Sequence, residues 1–108
     1  YCIYRNRIYS TGFSNGAFFS QVLACAMAER IAAVAPVSGG ALAFECTPSR
    51  PVPILIQHGS RDDLIPVSSA HTARDTWRQI DGCTDATPRA DGPTCQRWSC
   101  RDNTVVAY

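Results

Sequence analysis

The sequence predicts an α/β domain in which crossover helices connect the strands of a parallel sheet. Short β-branched or apolar runs alternate with longer runs whose apolar residues recur at helical spacing, a pattern typical of strands joined by helices. A serine between two glycines stands where the first of these strands meets the first helix. Six cysteines in 108 residues further indicate a disulfide-stabilised chain. We therefore expect residues 1–108 to belong to one domain.

The first half of the chain is predicted to form a strand, a helix and a second strand. Residues 7–11 alternate in character and predict a strand that leads into the serine turn. Residues 15–27 predict a buried crossover helix, and its expected apolar residues are Phe18, Phe19, Val22, Leu23, Ala26 and Met27. Residues 32–37 are continuously apolar, which is typical of a strand covered on both faces of a sheet.

The second half is predicted to add two strands and a helix. Residues 53–57 predict the most clearly buried strand, and residues 104–108 predict a last short one. Residues 69–80 predict a helix with Ser68 or Ser69 as its N-cap. The expected buried face of that helix consists of Ala70, Ala73, Trp77 and Ile80.

The cysteine content indicates an oxidising environment, so we expect a secreted or periplasmic protein. No Cys-x-x-Cys spacing with nearby histidines indicates zinc. Residues 83–102 are rich in Pro, Gly and Cys, which predicts a surface loop with at least one disulfide in the segment from Cys83 to Cys100. The pairing of the cysteines stays open, and Cys25, inside the apolar helix, is the one that best fits a buried free thiol.

Composition and charge exclude several classes of function. The formal net charge is +1 and no basic run is present, so neither a nucleic-acid partner nor a membrane surface is predicted. No apolar stretch is long enough to cross a bilayer. The motifs require neither a metal ion nor an organic cofactor.

The pentad from Gly12 to Gly16 is the motif that carries chemistry. A serine on a strand-to-helix turn is held in a strained backbone conformation, and glycines on either side let strand and helix approach closely. The hydroxyl of Ser14 is then expected to project at the carboxyl end of the strand. The N–H of Asn15, in the first turn of the helix, is expected to bind the negative oxygen that forms when an ester carbonyl is attacked.

Four segments together resemble a known family. They are residues 7–16, 23–25, 32–40 and 53–62, and they are similar to secreted α/β-hydrolase esterases of the polyhydroxybutyrate depolymerase and feruloyl or acetylxylan esterase group. The resemblance implies a partial α/β-hydrolase fold corresponding to the C-terminal half of such an enzyme. It implies a serine carboxylic ester hydrolase acting on feruloyl, acetyl or hydroxyalkanoate esters of polymers.

The same resemblance implies Ser14 as the nucleophile and Asp62 as the triad acid, with an ordinary turn serine and the neighbouring Asp63 as the alternatives. The family's catalytic histidine follows the strand that residues 104–108 resemble, and its second oxyanion donor precedes the nucleophile strand. Two histidines are present. His58 matches a structural position whose ring hydrogen-bonds neighbouring backbone. His71, near the start of the predicted helix after Asp62, is the candidate for an internal base, with an exposed histidine on the helix surface as the alternative.

Two hypotheses about function follow. The first is an esterase completed by residues outside this stretch or by another chain. The second is a catalytically silent module used for binding or assembly. Because the predicted sheet begins at the nucleophile strand, its edge and its apolar faces are expected to lack partners, which favours self-association or a complementing chain. Trp77 and Trp98 are predicted to pack in the core or a loop rather than to line a pocket.

Overall fold

The computed structural model describes residues 2–108, which form one six-stranded sheet and two helices. The elements in chain order are β1 (Tyr9–Phe13), α1 (Asn15–Ala26), β2 (Ala33–Val37), β3 (Ile54–Leu55), α2 (Val67–Ile80), β4 (Arg89–Ala90), β5 (Gln96–Ser99) and β6 (Val105–Ala107). A single 3₁₀ turn, Arg101–Asn103, precedes β6. The order of strands across the sheet is β1-β2-β3-β6-β5-β4.

The sheet is mixed rather than wholly parallel. Strands β1, β2, β3 and β6 pair in parallel, as the sequence predicts, whereas β5 is antiparallel to β6 and β4 is antiparallel to β5. The prediction of a loop over residues 83–102 was therefore wrong in part. Its two strands are only two and four residues long, and the surrounding Pro and Gly residues conceal so short a hairpin.

Strand β3 is shorter than the predicted residues 53–57 because its neighbour lacks a hydrogen-bond donor. The N–H of Val34 donates to Pro53 and the N–H of Ser38 donates to Gln57. Midway between them stands Pro36, which has no N–H. The pairing of β2 with β3 is consequently interrupted, and Gln57 meets Val37 only as an isolated bridge.

Helix α1 buries a different face from the one that hydrophobicity predicts. Its buried residues are Ala17, Ser20, Gln21 and Ala24, while Phe19 is 60% exposed. The small side chains among them let the helix axis approach the sheet. The two polar side chains, those of Ser20 and Gln21, form hydrogen bonds. Ser20 shares a hydrogen bond with Ser10 on β1 at 2.9 Å. Of the six residues predicted for the buried face, Phe19 and Ala26 are exposed and the other four are half-buried, so that prediction was wrong.

A buried amide joins α1 to α2 on one side of the sheet. The Gln21 side chain donates to the Gly40 carbonyl at 3.0 Å and accepts from the Trp77 indole N–H at 2.9 Å. Trp77 is fully buried and Trp98 is 3% exposed, so the prediction that both pack internally is confirmed. The buried face of α2 contains Ala70, Ala73 and Trp77, as predicted.

The opposite face of the parallel strands is uncovered within the described residues. Helices α1 and α2 share a single apolar core, so the prediction that residues 32–37 are covered on both faces was wrong for this part of the chain. The uncovered surface is lined mainly by Tyr9, Thr11, Ala33, Ala35, Leu55, Val105 and Ala107. No helix among residues 2–108 combines the length and apolar character needed to span a bilayer.

One disulfide ties the loop after β2 to α1, and a second closes the segment after α2. Cys83 pairs with Cys100, which confirms the predicted disulfide in that segment, and Cys25 pairs with Cys46. The alternative of a buried free thiol at Cys25 is therefore wrong. Helix α2 begins at Val67, after Pro66, and neither predicted N-cap serine lies before it. Instead the hydroxyl of Ser69 accepts a hydrogen bond from the N–H of Ala41 at 2.9 Å, which attaches α2 to the loop after β2.

Asp81, directly after α2, is a fully buried carboxyl group. Its Oδ1 accepts a hydrogen bond from the N–H of Val52 at 3.1 Å, and its carbonyl accepts one from the N–H of Arg101 at 3.0 Å. Burial raises the pKa of Asp81 to about 7, against the opposing effect of Val52 and of the Arg101 and Arg50 charges. Burial therefore favours the protonated form of Asp81 in the folded chain, although the hydrogen bond from Val52 favours the ionised form.

We predict that the free energy of unfolding falls as pH rises from about 5 to about 7. A carboxyl whose pKa is higher in the folded than in the unfolded chain binds more protons when folded, so stability is lost as the proton leaves. The slope is at most about 1.4 kcal/mol per pH unit for one proton. Urea unfolding at a series of pH values measures it. Asp81→Asn should flatten the slope and Asp91→Asn, at an exposed carboxyl, should keep it. The same slope in both variants contradicts the assignment.

Candidate active site

Ser14 occupies the turn between β1 and α1 in a conformation that L-residues rarely adopt. Its φ is 54° and its ψ is −115°, a strain that costs about 1–3 kcal/mol. The N–H of Ser14 donates to the Val37 carbonyl at 2.9 Å, and its carbonyl accepts from Ala17 and Phe18. The hydroxyl makes no capping hydrogen bond to the helix. Backbone bonds alone thus hold the turn, and the side-chain oxygen is left for another role.

The close crossing of strand and helix depends on Gly12. A Cβ added there would lie 2.4 Å from the carbonyl carbon and oxygen of Gly16. A Cβ added at Gly16 would meet no described atom within 4 Å. The expectation that both glycines are needed for the approach is correct for Gly12 only. The first N–H groups of α1, including that of Asn15, have no acceptor within the helix and stand beside Ser14.

Asp62 lies in the loop after β3 and is held by its own backbone. Its Oδ1 accepts hydrogen bonds from Leu64 at 3.0 Å and from Ile65 at 2.9 Å. These two bonds are the main cause that lowers the pKa of Asp62, with smaller contributions from the Ser38 side chain and His58. The carboxylate is therefore ionised at neutral pH. Asp63 is exposed, so the structure holds Asp62 and leaves its neighbour in solvent.

His58 is buried beneath the Asp62 loop. Its Nε2 donates to the Ile65 carbonyl at 2.8 Å, as the sequence predicts for a structural histidine bonded to nearby backbone. The same atom lies 3.5 Å from Oδ2 of Asp62, and the side chain is 0% exposed. A ring so placed supports the loop and is not open to a substrate.

His71 lies on α2 against the ring of Tyr108, with centroids 5.3 Å apart and planes at 75°. Tyr108 follows β6, and β6 is three strand positions from β1. Strands are spaced about 4.8 Å apart, which puts β6 roughly 14 Å from β1. The structure does not bring His71 to Ser14.

The carboxyl ends of β1, β2 and β3 bring the remaining groups to one edge of the sheet. The N–H of Ser14 donates to the carbonyl of Val37, the last residue of β2. The N–H of Ser38, which follows Val37, donates to the carbonyl of Gln57. Neither Ser38 nor Gln21 was predicted from the sequence to take part in the site. The Ser-Gly-Gly run after β2 could have indicated Ser38, and a glutamine inside an apolar helix could have indicated Gln21. Within the described residues, no group of three His, Cys, Asp or Glu side chains is placed to hold a metal ion.

Comparison with known proteins agrees with this geometry. A family model described as Phospholipase/Carboxylesterase matches residues 1–93. The chain belongs to the phospholipase/carboxylesterase family. This membership confirms both the α/β-hydrolase type of fold and the resemblance to its esterases, and it agrees with a strained serine at the end of β1.

Individual relatives of this phospholipase/carboxylesterase chain carry esterase names. Feruloyl esterase D of Neurospora crassa is 38% identical over 85 residues, which are 79% of this chain and 29% of the relative. Feruloyl esterase B of Piromyces equi is 29% identical over 131 residues, covering 97% of this chain and 24% of the relative. A bifunctional acetylxylan esterase/xylanase of Neocallimastix patriciarum is 40% identical over 65 residues, which are 60% of this chain and 10% of the relative. The chain spans less than a third of the length of these relatives.

We predict that the two glycines of the pentad respond differently to alanine. Gly12→Ala should lower the free energy of unfolding by more than about 3 kcal/mol, because its methyl group overlaps the backbone of α1. Gly16→Ala is the matched control and should be neutral or slightly stabilising, since alanine favours a helix over glycine. Chemical unfolding measures the free energy of unfolding of both variants. An equal loss in the two would contradict the finding that only a Cβ at Gly12 overlaps the neighbouring backbone.

We also predict that the two adjacent aspartates of this phospholipase/carboxylesterase site differ in importance. Asp62→Asn should reduce ester turnover on the order of a thousand-fold or more, because the family resemblance implies that its charge orients the catalytic histidine. Asp63→Asn, at an exposed side chain of the same loop, should change turnover only slightly. Steady-state kinetics on p-nitrophenyl acetate compares the two. Small and equal effects would remove Asp62 from the triad.

Proposed function

We propose that this chain is the nucleophile-bearing and acid-bearing part of a serine-type carboxylic ester hydrolase. The observation that carries the proposal is the backbone of Ser14, which is strained to φ 54° while its hydroxyl is left without a capping role. Such strain is typical of a nucleophile presented on a strand-to-helix turn. Membership of the phospholipase/carboxylesterase family and the esterase names of the relatives support the same chemistry.

In the proposed mechanism the Ser14 oxygen attacks the ester carbonyl and its proton passes to a histidine. Asp62, ionised and bonded to its own loop, orients that histidine and stabilises it when charged. The N–H of Asn15 donates to the negative oxygen of the tetrahedral intermediate. The histidine then protonates the departing alcohol, and water releases the acid by the reverse sequence. This chemistry requires no metal or organic cofactor.

The histidine is proposed to come from residues outside this stretch or from another chain. Neither His58, which is buried and bonded to Ile65, nor His71, which packs against Tyr108, is a suitable base. The edge position of β1 and the uncovered face of the sheet support a further partner. If that partner is a second copy or a complementing chain, activity should rise with protein concentration.

We propose feruloyl, acetyl or hydroxyalkanoate esters of polymers as the substrates. The names of the relatives support feruloyl and acetylxylan esters in particular. A secreted or periplasmic location is supported by the two disulfides, which persist in oxidising compartments.

Labelling with a fluorophosphonate probe tests the proposed nucleophile. Wild-type protein should be labelled at one serine, and Ser14→Ala should lose the label together with ester turnover, a fall of several orders of magnitude. Ser49→Ala, at an exposed serine near the opposite end of β3, should retain both. Undiminished labelling of Ser14→Ala would overturn the assignment. A full-length wild-type protein that never reacts would favour the catalytically silent binding module instead.

A further inference from the structure

Two buried glycines, Gly39 and Gly40, lie between the two halves of the proposed site. They follow β2, which stands between β1 and β3 in the sheet. Strand β1 leads to residues 14–18, the nucleophile turn, and β3 leads to residues 58–66, the acid loop. Because glycine has no side chain, the segment formed by these two residues can contact both neighbours at close range.

On the α1 side, the segment contacts the residues that hold Ser14. A Cβ added at Gly39 would lie 2.6 Å from the Cβ of Ala17, 3.1 Å from the carbonyl carbon of Ala17 and 3.2 Å from the nitrogen of Phe18. The N–H groups of Ala17 and Phe18 donate to the Ser14 carbonyl at 3.0 and 3.2 Å. The place of Gly39 therefore limits where the nucleophile turn can lie.

On the α2 side, the segment contacts the residue that holds Asp62. A Cβ added at Gly40 would lie 2.6 Å from Oγ of Ser69 and 3.0 Å from Cγ2 of Ile65. The N–H of Ile65 donates to Oδ1 of Asp62 at 2.9 Å, and the Ile65 carbonyl accepts from Nε2 of His58 at 2.8 Å. The place of Gly40 therefore limits where the acid loop can lie.

The side-chain amide of Gln21 holds this segment from helix α1. Gln21 is 1% exposed. Its Nε2 donates to the Gly40 carbonyl at 3.0 Å, and its Oε1 accepts from the indole N–H of Trp77 at 2.9 Å. An indole N–H can only donate, so Trp77 determines which end of the amide faces Gly40. The amide cannot turn away without leaving a buried polar group unpaired.

We propose that Gln21 is a positioning residue for the esterase site, which holds the Gly39–Gly40 segment as a spacer between the nucleophile turn and the acid loop. This inference rests on the proposed esterase function. Gln21 touches neither the ester nor the reacting groups, and it acts through the Gly40 carbonyl. Its loss should slow the chemical step more than it weakens substrate binding, because catalysis depends on the relative placement of the two halves.

Kinetics of Gln21 variants on p-nitrophenyl acetate test this role in the full-length protein, at a temperature where circular dichroism shows every variant to be folded. Gln21→Met keeps the length of the side chain and removes both hydrogen bonds. It should lower kcat roughly tenfold to a hundredfold, as a misplacement of about 1 Å does, with KM unchanged within about twofold. Trp77→Phe is the matched control. It removes one hydrogen bond of the same buried amide and keeps the bond to Gly40, so kcat should stay within about twofold.

Gln21→Glu adds a rescue that depends on pH. A protonated carboxyl can donate to the Gly40 carbonyl and accept from Trp77, whereas an ionised carboxylate has no proton to donate. The kcat of Gln21→Glu relative to that of the wild type should therefore rise as pH falls. The same ratio for Gln21→Met should not depend on pH. Gln21→Glu at acidic pH is also the decisive variant should Gln21→Met fold poorly.

Amide hydrogen exchange supplies a readout that is independent of turnover. In Gln21→Met, peptides that cover the nucleophile turn and the acid loop should exchange faster than in Trp77→Phe, because only the first substitution releases Gly40. Equal exchange in the two variants would contradict the spacer role of the segment.

Three kinetic outcomes overturn the role of Gln21. They are wild-type kcat in Gln21→Met, an equal fall of kcat in Trp77→Phe, and a fall confined to KM. A Gln21→Glu ratio that does not rise in acid contradicts the required donor to Gly40. A full-length wild type without ester turnover overturns the proposed function and this role together. An active wild type with unaffected Gln21 variants overturns this role alone.

Discussion

The contact between the backbones of Gly12 and Gly16 is the constraint on which the site depends. A strand can turn into a helix through a single residue only if the two backbones approach without a side chain between them. That residue is Ser14, and its unusual φ and ψ follow from the crossing. The strain is offset by the burial of α1 against β1 and β2 and by the hydrogen bond from Ser14 to Val37. The backbone conformation of Ser14 is therefore a product of the packing of α1 against the sheet.

Each loop at the carboxyl edge of the sheet is anchored at a second point. The loop after β2 is attached to α1 by the Cys25–Cys46 disulfide and by Gln21, and to α2 by Ser69. The loop after β3 closes on itself through His58 and Asp62. A site built from loops is normally mobile. These cross-connections give it the fixed geometry that positioned chemistry requires.

Local sequence signals predicted most of the parallel part of the fold and the strained serine. Alternation and helical spacing identify β1, α1, β2, α2 and β6, because each has the length and composition of its class. The same signals failed for α1, whose buried face is set by residue size and by Gln21 rather than by hydrophobicity. They also failed for β4 and β5, whose pairing depends on β6. The partner of the Ser38 N–H, the Gln57 carbonyl, could not be predicted, because it follows a different strand.

Pro36 weakens the sheet between β2 and β3. Because it has no N–H, one hydrogen bond between these strands is missing. The same boundary separates the pair β1 and β2, which precedes Ser14, from the pair β3 and β6, which lies beside the Asp62 loop. Near the site the two pairs are joined again by two hydrogen bonds, from the N–H of Ser38 to the Gln57 carbonyl and from the N–H of Gln57 to the Pro36 carbonyl. Amide hydrogen exchange at Ser38 and Gln57 therefore reports how firmly β1 and β2 are held to β3 and β6 beside Ser14.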